Sequence, residues 1–92
     1  MKHLEIDMAA MIRAHCREVE RVLISKNKKY GNSALSPVRI FSMAGPFEQL
    51  NVRIDDKLSR IAQGQKDDED VELDLIGYLV LRRIARSLGR MK

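Results

Sequence analysis

The chain has 92 residues, of which 45% are hydrophobic and 33% charged, a composition that excludes wholesale disorder and fits one globular domain. Its 17 Lys and Arg against 13 Asp and Glu give a net charge of +4, but two tyrosines, two phenylalanines and no tryptophan are too few aromatic residues to stack successive nucleic-acid bases. A chain this small buries only about 60–65% of its unfolded surface, so we expect a thin core and a homo-oligomer.

The number of cysteines and the length of the apolar runs indicate in which cellular compartment the protein lies. The single cysteine, Cys16, cannot form an internal disulfide. No apolar run has the length of a membrane span or the flanks of a signal peptide. The sequence therefore predicts a cytoplasmic protein with no membrane partner.

Three segments along the first two thirds of the chain have helical patterns. Apolar residues at spacings of three and four predict an amphipathic helix within residues 4–25. Ser36 before Pro37 has the order of an N-cap and a first helical residue, so we predict a short helix over residues 38–43. A second amphipathic pattern predicts a helix over residues 46–63, which ends before a glycine.

The last helix is predicted over residues 71–88, where apolar residues cover most of the helix circumference. A belt this wide must be covered by the other two helices together or by a partner subunit, so this helix should be central. No hairpin dipeptide lies between alternating apolar runs. The predicted fold is therefore all-α, with three main helices and one short helix in a compact bundle.

The segment KNKKYGN, residues 26–32, is the densest polar feature, and two interpretations of it stay open. Its lysines and Gly31 could simply complete a helix C-terminus, where cations complement the macrodipole and glycine supplies a positive φ. Alternatively, the turn could hold Lys26, Asn27 and Tyr30 around an anionic, planar ligand, with ammonium for phosphate, amide for a base edge and phenol for stacking.

A second polar set joins the last two helices, if these form an antiparallel hairpin. That register brings Lys57 near Asp74, Arg60 near Asp70 and Arg53 near Tyr78. Up to four carboxylates could also approach one another, and such oxygen clusters suit Mg²⁺. Interhelical ion pairs and helix N-terminal acids explain the same residues without a metal. The four carboxylates are those of Asp55, Asp56, Asp70 and Asp74.

In order and spacing, three motifs resemble those of a small all-helical family common in bacteriophage genomes, the nucleotide modification associated domain. The motifs are K-N-x-x-Y-G-N at residues 26–32, R-x-D-D-K-x-x-R-I at residues 53–61 and D-x-x-x-D-L-I-x-Y at residues 70–78. The resemblance implies a helical phage protein, in the cytoplasm of the infected bacterial host, that handles a nucleotide or nucleotide derivative. The positions carried over are Lys26, Asn27, Tyr30, Lys57, Arg60, Asp70, Asp74 and Tyr78.

The pattern is also distantly similar to the all-α nucleoside triphosphate pyrophosphohydrolases, which hold Mg²⁺ with an E-x-x-E pair on one helix and an E-x-x-D pair on another. This chain has neither the E-x-x-E pair nor the E-x-x-D pair at the corresponding positions. If Asp74 is the final aspartate, Val71 stands three residues earlier, and Glu18 and Glu20 are two apart on the first helix. A two-metal hydrolysis needs those ligands, so their loss favours binding over catalysis.

The leading hypothesis is therefore a phage-type protein that sequesters a nucleotide or cyclic nucleotide without turnover and needs no cofactor. It predicts no catalytic residues. One physiological version is a sponge for a nucleotide signal made by a bacterial defence system. The alternative is an Mg²⁺-dependent pyrophosphohydrolase with Asp56, Asp70 and Asp74 as metal ligands. A nucleic-acid partner ranks last because the positive charge is spread over the chain without interleaved aromatic residues. The predicted ligand-binding residues are Lys26, Asn27, Tyr30, Arg53, Lys57, Arg60 and Tyr78.

Overall fold

The computed structural model describes residues 5–64 and 70–91, which form three α-helices: α1 (Met8–Tyr30), α2 (Pro46–Ala62) and α3 (Val71–Ser87). These ranges contain no strand, so the all-α prediction is confirmed. Within the same ranges, no helix combines the length and the apolar content that crossing a membrane requires.

The helix ends follow local chemistry. The Asp7 side chain accepts a hydrogen bond from the Ala10 amide at 3.0 Å and starts α1. Asp70 caps α3 in the same way through the Leu73 amide at 2.9 Å. Gly31 ends α1 with φ of +61°, and its amide donates to the Asn27 carbonyl at 2.8 Å. The left-handed conformation that this end requires is one that glycine adopts without a steric cost.

The predicted short helix over residues 38–43 is wrong, because this segment is irregular in the structure. A single helical turn is marginal unless packing stabilises it. Here Val38, Ile40 and Phe41 are 77%, 76% and 99% exposed, so no core contact supports a turn. Ser36 is not an N-cap either, and its amide donates to the Asn32 carbonyl at 3.2 Å.

The core lies between α2 and α3, which pack as a hairpin. Phe47 and Leu50 of α2 are buried against Ala85 of α3, and Tyr78 packs against this cluster. The Arg82 guanidinium lies 4.3 Å from the centroid of the Phe47 ring. Because α3 packs against both other helices, the prediction that it is central is confirmed.

Helix α1 packs against α3 at its C-terminal half alone. None of its residues is buried, and its half-buried residues are Val19, Val22 and Leu23. The approach is close at Gly77 of α3, where an added Cβ would lie 3.6 Å from Leu23 Cδ1. The apolar stripe of α1 is therefore covered over about two of its turns.

Candidate functional site

Asp74, in the first turn of α3, is a carboxylate shared by lysines from both other helices. One oxygen accepts a hydrogen bond from Lys26 Nζ of α1 at 2.9 Å. The other oxygen lies 3.5 Å from Lys57 Nζ of α2. We call these three residues the Asp74 cluster. The predicted proximity of Lys57 to Asp74 is confirmed.

The antiparallel packing of α1 on α3 explains why Lys26 reaches Asp74. Leu23 packs at Gly77, and Lys26 follows Leu23 by three residues just as Asp74 precedes Gly77 by three. Residues three apart lie on the same face of a helix. The apolar contact and the ion pair are therefore two successive layers of one helix–helix interface.

Burial differs sharply within the Asp74 cluster. The side chains of Asp74 and Lys57 are 17% and 10% exposed, whereas that of Lys26 is 53% exposed. The hydrogen bond to Asp74 raises the pKa of Lys26, an effect that partial burial opposes and that charge interactions with Asp74, Tyr78 and Tyr30 reinforce. Lys26 is thus a charged, partly exposed ammonium group with two phenols in its surroundings, a combination that suits a phosphate oxygen on a planar ligand.

The segment after Lys26 confirms the helix-terminus interpretation without testing the ligand-binding one. Lys28 and Lys29 occupy the last turn of α1, before the left-handed Gly31. Asn27 Nδ2 donates to Asn32 Oδ1 at 2.8 Å, so the amide proposed for a base edge contacts the loop itself. Tyr30 is 60% exposed, and Lys29 Nζ lies 5.4 Å from the centroid of its ring.

The other predicted ligand-binding residues lie on α2 and α3. Tyr78 is half-buried against the core and close enough to Lys26 to influence its pKa. Arg60 Nε lies 3.3 Å from Asp56 Oδ2, one turn earlier on α2. Arg53 is exposed and forms no ion pair within residues 5–64 and 70–91. The structure thus brings Lys26 and Lys57 together at Asp74, with Tyr78 close enough to Lys26 to influence its pKa.

The predicted metal set is not assembled. Asp56 is paired with Arg60, Asp70 caps α3, and Asp74 lies between two lysines. Asp55 is exposed on α2. Within the described part of the chain, no group of three His, Cys, Asp or Glu side chains could hold a metal ion. The physical reason is that the three carboxylates lie in three separate contacts and do not converge on one point.

Sequence reasoning missed the contact between Lys26 and Asp74, since it placed the two residues in separate sets. The available signal was the spacing of Lys26 from Val19 and Leu23, which puts all three on one face of α1.

A cleft of about 630 Å³, lined in part by Arg39, Pro46 and Arg90, lies at the opposite end of the α2–α3 hairpin from the Asp74 cluster.

The structure is thus that of an all-α protein in which the Asp74 carboxylate joins three helices through Lys26 and Lys57. Comparison of the chain with family models, curated proteins and solved structures finds no match.

Proposed function

We propose that the protein binds and sequesters an anionic, nucleotide-derived small molecule without turning it over. The observation that carries the proposal is Lys26, a half-exposed ammonium group that donates a hydrogen bond to Asp74 and lies close enough to Tyr30 and Tyr78 for their phenols to raise its pKa. Charge-assisted hydrogen bonds to phosphate are about twice as strong as neutral ones. An exposed aromatic face adds a surface for a base.

The electrostatics of the Asp74 cluster favour an anionic ligand. Two ammonium groups lie within 3.5 Å of one carboxylate, and that of Lys26 is half exposed. A phosphate approaching the exposed side of Lys26 would meet a charged group that can donate hydrogen bonds.

Sequestration is proposed over hydrolysis because the carboxylates have other roles. Asp70 caps a helix and Asp56 pairs with Arg60, whereas a hydrolytic metal site would need them to converge with Asp74. Together with the resemblance of the three motifs to the phage family, this supports a sponge for a nucleotide signal in the host cytoplasm. We also propose that the protein acts as a homo-oligomer.

The test is a ligand panel of nucleoside triphosphates, cyclic dinucleotides and ADP-ribose derivatives, with and without Mg²⁺. Thermal shift would report binding, and chromatography of the denatured sample would report the chemical state of the ligand. Sequestration predicts stabilisation and recovery of intact ligand whether or not Mg²⁺ is present. Mg²⁺-dependent release of monophosphate and pyrophosphate would instead support the pyrophosphohydrolase alternative.

A pair of variants distinguishes a specific role of Lys26 from a general effect of positive charge on this helix. Lys26→Met should weaken binding of any ligand found by about tenfold or more, because it removes a charge-assisted contact. Lys28→Met is the matched control, since Lys28 is an exposed lysine two residues along the same helix. Equal losses of affinity in the two variants would show that Lys26 has no specific role. Tyr30→Ala tests stacking in the same way, and unchanged affinity would remove Tyr30 from the site.

A further inference from the structure

The cleft at the end of the α2–α3 hairpin remote from the Asp74 cluster carries two arginines that the proposed function does not use. Arg39, in the loop before α2, and Arg90, in the segment after α3, both line it. Its volume of about 630 Å³ lies within the range of about 300–1,000 Å³ that is usual for small-molecule sites. The fold thus brings two guanidinium groups from opposite halves of the chain to one concave surface, which we call the Arg39–Arg90 cleft.

Neither arginine of the cleft has a counter-charge. Within the ranges that the structure describes, Arg39 and Arg90 form no ion pair and no side-chain hydrogen bond. None of the described residues that line the cleft is acidic, and Glu48, the acid closest in sequence to Pro46, is not among them. Because a guanidinium group stays charged at any physiological pH, the cleft presents two positive charges to a ligand.

The positive charge comes from these side chains and not from the helix termini. Pro46, at the start of α2, and Gly89, just after the end of α3, both line the cleft. The start of a helix carries a partial positive charge and the end carries a partial negative one, so these two contributions offset each other. An anion that enters the cleft would therefore be attracted by the guanidinium groups.

Backbone hydrogen bonds fix the position from which the Arg90 side chain extends. The Arg90 amide donates to the Ala85 carbonyl at 2.8 Å, and the Gly89 amide donates to the Arg86 carbonyl at 3.0 Å. With Gly89 at φ of +71°, these two bonds form a Schellman motif that ends α3. Since the backbone at Arg90 is already ordered, less conformational entropy is lost when its side chain binds a ligand.

An apolar wall lies beside the two guanidinium groups. Pro46 is buried, and Leu35 is half-buried against the core, so the packing of α2 on α3 holds this part of the lining in place. Met91 adds a side chain that is 49% exposed, and Ser36 adds an exposed hydroxyl group. An apolar surface with a few polar groups is the usual composition of a site that binds a small organic molecule.

We infer that the Arg39–Arg90 cleft binds a small phosphate monoester, with its phosphate at the two guanidinium groups and its organic part against Leu35 and Pro46. A phosphate monoester carries a charge of about −1.5 to −2 at pH 7, which two arginines balance. The planar guanidinium group also donates paired hydrogen bonds that match phosphate oxygens. A carboxylate carries a single charge and would leave one arginine without a counter-charge. The cleft is thus a second anion site, separate from the Asp74 cluster.

The first experiment compares three probes by ¹H–¹⁵N NMR titration of the labelled protein at pH 7.5 and one fixed, low ionic strength, because salt screens exposed charges. The probes are phenyl phosphate, inorganic phosphate, which lacks the organic part, and benzoate, which keeps the ring but carries one charge. Phenyl phosphate should shift the amide signals of residues 35–39 and 89–91 and bind at least about fivefold more tightly than either of the others. Equal affinity for phenyl phosphate and either of the other probes would overturn the inference.

Three arginine variants distinguish the cleft from a general effect of positive charge. Arg39→Gln and Arg90→Gln should each weaken binding of phenyl phosphate by about tenfold, because each removes a charge-assisted contact. Arg83→Gln is the matched control, since Arg83 is an exposed arginine of α3 that does not line the cleft. Its affinity should equal that of the wild type. Equal losses of affinity in the three variants would show that the cleft is not a specific site.

The cleft and the Asp74 cluster can fail separately in these measurements. Shifts at residues 35–39 and 89–91 report the cleft, whereas shifts around Lys26 report the site of the proposed function. Phenyl phosphate that shifts only the signals around Lys26 would overturn the cleft as a binding site. Nucleotide binding that survives in Arg39→Gln and Arg90→Gln, together with loss of phenyl phosphate binding in the same variants, would support two independent sites.

Discussion

Replacing Asp74 by asparagine tests whether one carboxylate holds the three helices together. The substitution keeps the side-chain shape and one acceptor oxygen but removes the negative charge that lies 2.9 Å from Lys26 Nζ and 3.5 Å from Lys57 Nζ. The introduced amide would still accept a hydrogen bond from one lysine through its oxygen. The change in stability therefore reports the charge interactions of the Asp74 cluster.

The expected magnitude follows from the burial of each pair. Breaking a fully buried ion pair costs about 3–5 kcal/mol, and an exposed pair contributes about 0.2–1 kcal/mol. The Lys57–Asp74 pair is almost as buried as a fully buried ion pair, but its N–O distance is long at 3.5 Å. The Lys26–Asp74 pair is closer to an exposed one, since the Lys26 side chain is 53% exposed. With one acceptor retained, we expect Asp74→Asn to lower the free energy of unfolding by about 2 kcal/mol. For a domain of this size, that shifts Tm by about 8–16 °C.

The assay is urea unfolding followed by circular dichroism at 222 nm, at the same protein concentration for every variant, because association between copies would make the apparent stability depend on concentration. Asp56→Asn is the matched control, since Asp56 is 55% exposed and pairs with Arg60 one turn away. It should cost less than about 0.5 kcal/mol. If the two variants lose the same stability within about 0.5 kcal/mol, the Asp74 cluster is not what joins the helices.

Two further predictions concern Lys26 and the glycines. The pKa of Lys26 is raised above 10.5, so its stabilising effect is complete below about pH 10.5 and is lost as the pH rises through the higher value. The difference in unfolding free energy between the wild type and Lys26→Met should shrink above pH 10.5, and a constant difference would contradict this. Gly77→Ala should stabilise the protein by about 0.5–1 kcal/mol through helix propensity, because its Cβ would meet Leu23 at an ordinary 3.6 Å. Gly31→Ala, at φ of +61°, should destabilise it by about 1 kcal/mol, and urea curves with the same sign of change would refute the argument.

The hairpin helices could be predicted from the sequence because their ends carry strong local signals. Pro46 opens α2 as predicted, and the predicted and observed C-termini of α2 and α3 differ by one residue each. The register of the hairpin followed from those ends, and it placed Lys57 beside Asp74. Local chemistry was therefore sufficient for the Lys57–Asp74 pair, whose partners belong to consecutive helices.

The docking of α1 could not be predicted in the same way. Its helix ends at Tyr30, five residues beyond the predicted end, because the lysines before Gly31 continue the helix. The contact of Lys26 with Asp74 joins residues 48 positions apart, and its register depends on how α1 packs on α3. The short helix failed for a related reason, since a capping signal without a packing partner does not stabilise a turn.

The Asp74 cluster holds α1 near its C-terminal end, so a change of tilt there moves the N-terminal end of the helix. Lys26 lies about five turns, or about 27 Å, from Met8 at the other end of the helix. A tilt of about 10° at the contact with α3 would displace the first turn by roughly 5 Å. A small change of angle at the Asp74 cluster therefore becomes a displacement of about the width of a side chain at Met8, at the other end of α1.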